Sequence, residues 1–143
     1  MTYQSKADAE NERRVYEKVE RLFGVSVVPF PMLSVLDAIT VRDGVVSAVI
    51  ETKTRRSTLA DMYETIVLDL EKVRWGQRFA RKAQVKFYFI VQLIDAVIYM
   101  KIDAEDDLTG FEIKDLRLNM PRDQYDKDKV VHFPTSMFKV MPE

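Results

Sequence analysis

Two apolar segments joined by a short turn constrain the fold of this chain most strongly. Residues 33–41 and 45–53 are rich in β-branched residues, and Arg42-Asp43-Gly44 between them is typical of a hairpin turn. Asp37 lies in the first segment, and Glu51 and Lys53 end the second. Burying charged groups in an apolar strand costs free energy, so a functional role is a reasonable explanation for Glu51 and Lys53.

The face that each side chain occupies follows from the alternation of a strand. Val49, Glu51 and Lys53 are predicted to share one face of the second strand, whereas Ala48 and Ile50 point to the other face, toward a core. The hairpin therefore predicts a carboxylate on one strand and a Glu-x-Lys pair on its neighbour.

The remaining elements are predicted from periodicity and turn residues. Apolar spacing predicts a helix over about residues 8–23, which Gly24 ends. A second helix is predicted from residues 57–61, because Thr58 and Asp61 have the spacing of a capping box. Gly76 is predicted to end or kink it, before further helical turns over 77–83. The apolar stripe of this helix would be Leu59, Ile66, Leu70 and Val73.

Short β-branched and apolar runs predict further strands over 25–28, 85–93 and 96–102. Segments 111–118 and 130–133 are weaker strand predictions in the C-terminal third. The 143 residues are expected to form a single domain, with a core over about 8–102 and a C-terminal extension over 103–143.

Composition excludes several classes of site and location. The chain has no cysteine, which excludes disulfides and thiolate metal sites and suits a reducing cytoplasm. The longest apolar stretch, residues 87–100, is interrupted by Gln92 and Asp95, so no membrane span is expected. The polar N-terminus does not resemble a signal peptide. The four glycines are not clustered, which argues against a phosphate-binding loop.

Charge is distributed unevenly along the chain although the net charge is only −1. Residues 72–86 hold six basic and no acidic residues, and residues 103–128 hold nine acidic and four basic ones. A local basic surface favours a polyanionic partner. The residues predicted to contact nucleic acid are Arg55, Arg56, Arg74, Arg78, Arg81 and Lys82. Trp75 and Tyr63 are interpreted as core aromatics and His132 as structural.

Carboxylates on adjacent strands can hold a divalent cation against a phosphodiester. Asp37 and Glu51 would be its side-chain ligands, and the backbone carbonyl of Thr52 would be a third. Lys53 would lie beside the attacked phosphate and stabilise its charge.

This order of residues resembles the PD-(D/E)xK nuclease superfamily, which has the restriction-endonuclease-like fold. The resemblance implies an α/β fold with a mixed central β-sheet flanked by helices, and it places the metal-binding residues at Asp37 and Glu51 and the catalytic lysine at Lys53. Leu36 stands where the superfamily often has proline. Residues 11–14 resemble the opening of archaeal Holliday-junction resolvases, which makes Glu12 a candidate helix carboxylate, with Glu17 and Glu20 as alternatives.

Residues 70–80 and 85–91 are similar to small uncharacterised nuclease-like proteins of phages and prophages, and this similarity adds Lys72 to the site. The resemblances together imply a Mg²⁺-dependent DNA nuclease, with Mn²⁺ as an alternative metal. They also imply a phage or prophage origin, a host-cytoplasmic location and a homodimer. Two alternatives remain open: a non-catalytic nucleic-acid-binding domain with the same fold, and a fold-only phage accessory or interaction protein. Exonucleases, structure-specific endonucleases, resolvases and restriction-like enzymes all use this set of residues.

Overall fold

A computed structural model describes residues 6–31, 36–115 and 129–143. Two α-helices and nine strands are present in these ranges, and a 3₁₀ turn spans Thr135–Met137. In chain order the elements are α1 (Lys6–Phe23), β1 (Ser26–Pro29), β2 (Ala38–Arg42), β3 (Val45–Thr54), β4 (Thr65–Asp69), α2 (Leu70–Ala83), β5 (Lys86–Gln92), β6 (Val97–Ile102), β7 (Glu112–Asp115), β8 (Lys129–Pro134) and β9 (Lys139–Val140).

Six strands form the main sheet in the order β1-β2-β3-β5-β6-β9. The β3–β5 pair is parallel and the other pairs are antiparallel, so the sheet is mixed. A smaller sheet has the order β4-β8-β7. The predicted α/β fold with a mixed central sheet and flanking helices is confirmed.

Strand β3 is buried on both faces because a separate layer covers each side of the main sheet. Val15 and Val19 of α1 belong to one core cluster together with Ile50. Val73 of α2 belongs to a second cluster, with Val49 and residues of the smaller sheet. The sequence predicted a core on the Ala48 and Ile50 face only. The opposite face, which carries Glu51, is also core, since α2 and the smaller sheet cover it.

The hairpin has the predicted turn, because Arg42 pairs directly with Val45 around two central residues. Asp43 and Gly44 have φ angles of 52° and 78°. A two-residue type I′ hairpin turn requires positive φ at both central residues. The first strand was predicted to begin at residue 33, but β2 begins at Ala38, and Asp37 lies immediately before it. Residues 33–35 of that prediction lie outside the described ranges.

The predicted helix from residues 57–61 is wrong, because α2 begins only at Leu70. Thr58 and Asp61 form a turn, in which the Asp61 N–H donates to the Thr58 carbonyl at 3.1 Å. Residues 65–69 are strand β4, which pairs with β8. Ile66 and Leu68 are buried while their neighbours are half-buried, which is the alternation of a strand. Helical spacing had instead assigned Ile66 to the apolar stripe of a predicted helix.

Gly76 lies inside α2 and does not end it. A Cβ atom at this position would come within 2.2 Å of the Phe87 ring, so the missing side chain allows the ring of β5 to pack directly against the helix. In the C-terminal third, the strand predicted over 130–133 is confirmed as β8. β7 corresponds to part of the prediction over 111–118, of which residues 116–118 lie outside the described ranges. Neither helix in the described residues is both long and apolar enough to cross a membrane.

Candidate active site

Asp37 and Glu51 are joined by hydrogen bonds at the point where β2 begins. The Asp37 backbone N–H donates to Glu51 Oε1 at 3.0 Å, and the Thr52 N–H donates to Asp37 Oδ2 at 2.7 Å. This contact follows from the sheet register, because Ala38 pairs with Ile50 and therefore places Asp37 beside Glu51 and Thr52. The two carboxylates predicted from the hairpin thus lie together.

Thr52 links Asp37 to a carboxylate of α1. Its hydroxyl Oγ1 lies 3.1 Å from Asp37 Oδ2 and 3.3 Å from Glu12 Oε2. The other two candidates on α1 are engaged elsewhere. Glu20 Oε2 accepts the Val27 N–H at 2.9 Å, and Glu17 forms an exposed ion pair with Arg13. The structure therefore brings Glu12, rather than Glu17 or Glu20, to the site.

Glu51 is the most deeply buried charged residue among those described, with no exposed surface. Burial raises the pKa of Glu51 to about 9, and the negative charge of Asp37 contributes to the increase. The Lys72 ammonium group lies 3.7 Å from Glu51 Oε2 and lowers this pKa in part. The predicted place of Lys72 beside the carboxylates agrees with this geometry.

Lys53 lies on the α2 side of the sheet, but its ammonium group does not contact Glu51. Its Nζ donates to the backbone carbonyl of Val67 in β4 at 2.7 Å. Burial lowers the pKa of Lys53 to about 8, and the positive charges of Arg55 and Lys72 lower it further while Asp69 opposes them. Lys53 is therefore a half-buried cation on the same face of β3 as Glu51, and its ammonium group is held against β4.

The donor set around Glu51 fits a hard divalent cation. Glu51 Oε2 is buried and accepts no hydrogen bond, and a cation at this point would relieve its repulsion with Asp37. Carboxylate and carbonyl oxygens suit Mg²⁺ or Mn²⁺. Within the described ranges, no group of three or more acidic, histidine or cysteine side chains is arranged for a metal. If a cation binds at this point, the protein would contribute Asp37, Glu51 and the Thr52 carbonyl, with water completing the shell.

The predicted nucleic-acid-binding residues occupy two places. Arg55 and Arg56 directly follow β3, where the Arg55 N–H donates to the Gln92 carbonyl at 2.9 Å and burial lowers the pKa of Arg55. The other four are exposed on α2, and we call them the α2 basic face. Its members are Arg74, Arg78, Arg81 and Lys82. The Arg81 guanidinium also donates to the Ala104 carbonyl at 2.7 Å, so Arg81 anchors a loop as well.

The two aromatic residues interpreted as core are exposed instead. Trp75 is 43% exposed, and the Arg78 guanidinium lies 5.3 Å from the centre of its ring. Tyr63 is 81% exposed. Both interpretations were wrong. Tyr63 lies in a connecting segment and not in a helix, and Trp75 lies outside the face of α2 that buries Val73, Gln77 and Ala80. His132 forms a hydrogen bond of 3.2 Å with Thr65 between β8 and β4, in keeping with a structural role.

Two residues near the site were missed in the sequence. Tyr16 of α1 is buried, and the charges of Glu12, Asp37 and Glu51 all act on it. Its spacing of four residues from Glu12 could have revealed it, because such residues share a helix face. Asp69 is the last residue of β4, and its negative charge raises the pKa of Lys53. Its side chain makes no capping hydrogen bond to α2. No signal in the sequence indicated it, since β4 itself was not predicted.

Comparisons with known proteins agree with this architecture. Residues 1–141 match the family model described as "Phage putative PDDEXK endonuclease". No curated protein matches the chain by sequence. Among solved structures, the chain is similar to Hjc, a Holliday junction resolvase from the archaeal hyperthermophile Archaeoglobus fulgidus. The TM-score is 0.57 at 16% identity over 90% of this chain and 84% of the resolvase, which shows a shared fold. By its match over residues 1–141, the chain belongs to the phage PDDEXK endonuclease family.

Proposed function

We propose that this protein is a Mg²⁺-dependent nuclease that hydrolyses phosphodiester bonds of DNA, with Mn²⁺ able to replace Mg²⁺. The observation that carries this proposal is Glu51 Oε2, a buried carboxylate oxygen without a hydrogen-bond donor, next to Asp37 and facing Lys72. The Lys72 ammonium group lies 3.7 Å from this oxygen, which is beyond hydrogen-bonding distance. The unsatisfied oxygen is better explained as a ligand atom for a cation.

Each residue has a distinct task in this proposal. Asp37, Glu51 and the Thr52 carbonyl would hold the cation, and Glu12 supports Asp37 through the Thr52 hydroxyl. A cation held there would supply neutralisation of charge on the attacked phosphate and would favour ionisation of water. Lys53 and Lys72 approach from the α2 side, where two ammonium groups can stabilise the negative charge that develops in the transition state.

The choice of DNA as substrate rests on the α2 basic face and on the family. Lys72 begins a series of basic residues along α2, so a phosphate backbone that follows the helix would lead directly to Glu51. The same surface positions a polyanion without reading its sequence. Phage or prophage origin, a host-cytoplasmic location and a homodimer belong to the same proposal, as does the organisation of all 143 residues into one nuclease domain.

Metal-dependent cleavage of a panel of labelled DNAs tests this function. The panel contains single-stranded, duplex, flap and four-way-junction substrates, each incubated with Mg²⁺, Mn²⁺ or a chelator. We expect the wild type to cut at least one substrate only with metal, and Asp37→Asn to be inactive because it removes a ligand charge. Asp43→Asn is the matched control, since Asp43 lies in the hairpin turn and touches no carboxylate of the site.

The alternatives predict different results in the same assay. DNA binding without cleavage of any substrate would contradict the nuclease and support a nucleic-acid-binding domain. A protein that neither binds nor cuts DNA would support the fold-only alternative. Asp37→Asn that cuts at the wild-type rate would remove Asp37 from the ligand set.

The α2 basic face is expected to set the salt dependence of DNA binding. Replacing Arg74, Arg78 and Lys82 together with alanine removes three exposed cations and leaves Arg81 with its structural bond to Ala104. Each lost phosphate contact should reduce the slope of log K against log salt by about 0.9, measured by fluorescence anisotropy on duplex DNA.

A control triple variant separates this local effect from net charge. Arg21, Lys101 and Lys139 are exposed residues of α1, β6 and β9, and replacing them with alanine changes the net charge equally. The control should retain the wild-type slope. If both triple variants have the same slope of log K against log salt, the α2 basic face does not contact phosphate and serves only solubility.

A further inference from the structure

The exposed face of α2 carries an aromatic ring within one helical turn of the candidate active site. Trp75 lies three residues after Lys72, whose ammonium group is 3.7 Å from Glu51 Oε2. Residues three or four positions apart are neighbours on a helix surface, so Trp75 is a neighbour of the lysine that reaches the buried carboxylate. Single exposed apolar residues are common on protein surfaces, so this position is more informative than the exposure itself.

A second contact connects the same surface with the other carboxylate. Phe79, four residues after Trp75, is half-buried, and its ring meets the Phe30 ring edge to face with 6.0 Å between the centroids. The Phe30 backbone N–H donates to the Asp37 carbonyl at 2.7 Å. Trp75 therefore has one neighbour on α2 that reaches Glu51 and another that packs next to Asp37.

The charge of this surface indicates the class of partner. Five basic residues and a single acidic one lie on α2. The Arg78 guanidinium lies 5.3 Å from the centre of the Trp75 ring, yet 43% of Trp75 remains exposed. An aromatic ring among cations fits a polyanion with flat groups that can stack on it, and a nucleic-acid strand with unpaired bases has this chemistry. Paired bases are held inside the duplex stack and cannot reach the ring.

We infer that Trp75 stacks on an unpaired base of the DNA strand that enters the site. This inference rests on the proposed function and names its substrate class, which is DNA with unpaired nucleotides next to the cleaved bond, as in a single strand, a flap or a frayed end. Lys72 contacts a phosphate of that strand, and Phe79 extends the stacking surface toward Asp37. Fully paired DNA is held by the cations of α2 alone.

The intrinsic fluorescence of the protein reports on this contact directly, because Trp75 is the only tryptophan in the chain. Wild-type protein is titrated at low salt, with a chelator so that no strand is cut. The three probes have equal length: an oligothymidylate, an abasic strand and a blunt duplex. A base stacked on an indole ring quenches its emission. We therefore expect quenching by the oligothymidylate and little change with the other two probes, although all three carry phosphate charge.

The affinity of Trp75→Ala for the same probes is measured by fluorescence anisotropy, with Phe23→Ala as the matched control. Phe23 is 41% exposed and is the last residue of α1, about three helical turns beyond Glu12. We expect Trp75→Ala to lose about 5- to 100-fold in affinity for the oligothymidylate and less than about twofold for the duplex. Trp75→Phe keeps a ring and should recover part of the loss, and Phe23→Ala should bind as the wild type does.

Three results would overturn the stacking role. Equal quenching by the three probes would mean that the indole responds to charge alone. Equal loss of affinity for oligothymidylate and duplex in a folded Trp75→Ala protein would make Trp75 a general backbone contact. A wild-type dimer that dissociates in Trp75→Ala, with unchanged affinity for the oligothymidylate, would assign the ring to a contact between two copies of the chain. The wild-type titration is decisive even if Trp75→Ala does not fold.

The failure of this inference is distinguishable from failure of the proposed function, because binding is measured without cleavage. Metal-dependent cleavage of DNA without any quenching that requires bases would overturn the stacking role and leave the nuclease intact. Quenching that requires bases, without cleavage of any substrate, would overturn the nuclease and leave Trp75 as a base-stacking residue of a DNA-binding domain.

Discussion

Lys53→Ala is expected to lower the rate of DNA cleavage by about 10²- to 10³-fold, the usual loss when one donor to a transition-state charge is removed. Lys53 shares a face of β3 with Glu51, and its hydrogen bond to the Val67 carbonyl fixes the position of its ammonium group. Metal binding should persist, because Lys53 supplies no ligand atom. Single-turnover cleavage and calorimetric metal titration measure the two quantities separately.

Two comparisons make this result specific to Lys53. Lys101→Ala removes an exposed lysine of β6 and should leave the rate unchanged. Loss of the bond to Val67 should cost only about 1 kcal/mol of unfolding free energy, so the variant stays folded at assay temperature. A folded Lys53→Ala protein with a rate near that of the wild type would rule out the catalytic role.

Glu51→Gln is expected to have opposite effects on stability and on metal binding. The amide keeps the shape of the side chain and removes a charge whose burial raises the pKa of Glu51 to about 9. The metal-free variant should therefore be more stable than the wild type at neutral pH. It should lose most of its affinity for Mg²⁺ and its cleavage activity, since an amide oxygen is a weaker ligand than a carboxylate.

The expected direction of the stability change follows from how the unfolding free energy of the metal-free protein depends on pH. Between the ordinary glutamate pKa and the raised value, the folded protein binds more protons at Glu51 than the unfolded chain does. The stabilisation that the protonated group provides is complete below the unfolded pKa and is lost as pH rises toward 9. From pH 5 to 7.5 this group should lower the unfolding free energy by up to about 1.4 kcal/mol per pH unit.

Denaturant unfolding of wild type and Glu51→Gln at pH 5, 6 and 7.5 measures this effect. The difference in stability between the two proteins should grow with pH, and saturating Mg²⁺ should stabilise only the wild type, through preferential binding to the folded state. A difference that does not change with pH would mean that Glu51 is ionised in the fold at ordinary pH, with Lys72 as its sufficient partner.

The parts of the fold that sequence could predict depend on local chemistry. The Asp43-Gly44 turn needs two residues with positive φ, and the adjacent segments then pair in one register. That register places Asp37 next to Glu51 and Thr52, so the predicted carboxylate pair follows from a few consecutive residues. The apolar stripe of α1 likewise follows from the spacing of residues a few positions apart, and it brings Glu12 to the sheet.

The predictions that failed concern segments whose partners are distant in sequence. Residues 65–69 form a strand because β8, more than 60 residues later, offers its edge, and no local pattern reveals that pairing. The same pairing positions the Val67 carbonyl for Lys53 and starts α2 at Leu70. The exposure of Tyr63, two residues before β4, was missed for the same reason.

Local sequence specifies the chemical groups of the site, the hairpin that joins Asp37 to Glu51 and the helix that carries Glu12. The pKa values of those groups depend instead on how the layers of the fold pack around them. Two layers cover both faces of β3, and this burial raises the pKa of Glu51 and lowers that of Lys53. Desolvation depends on everything packed around a group, whereas a turn or a helical stripe depends on neighbours along the chain.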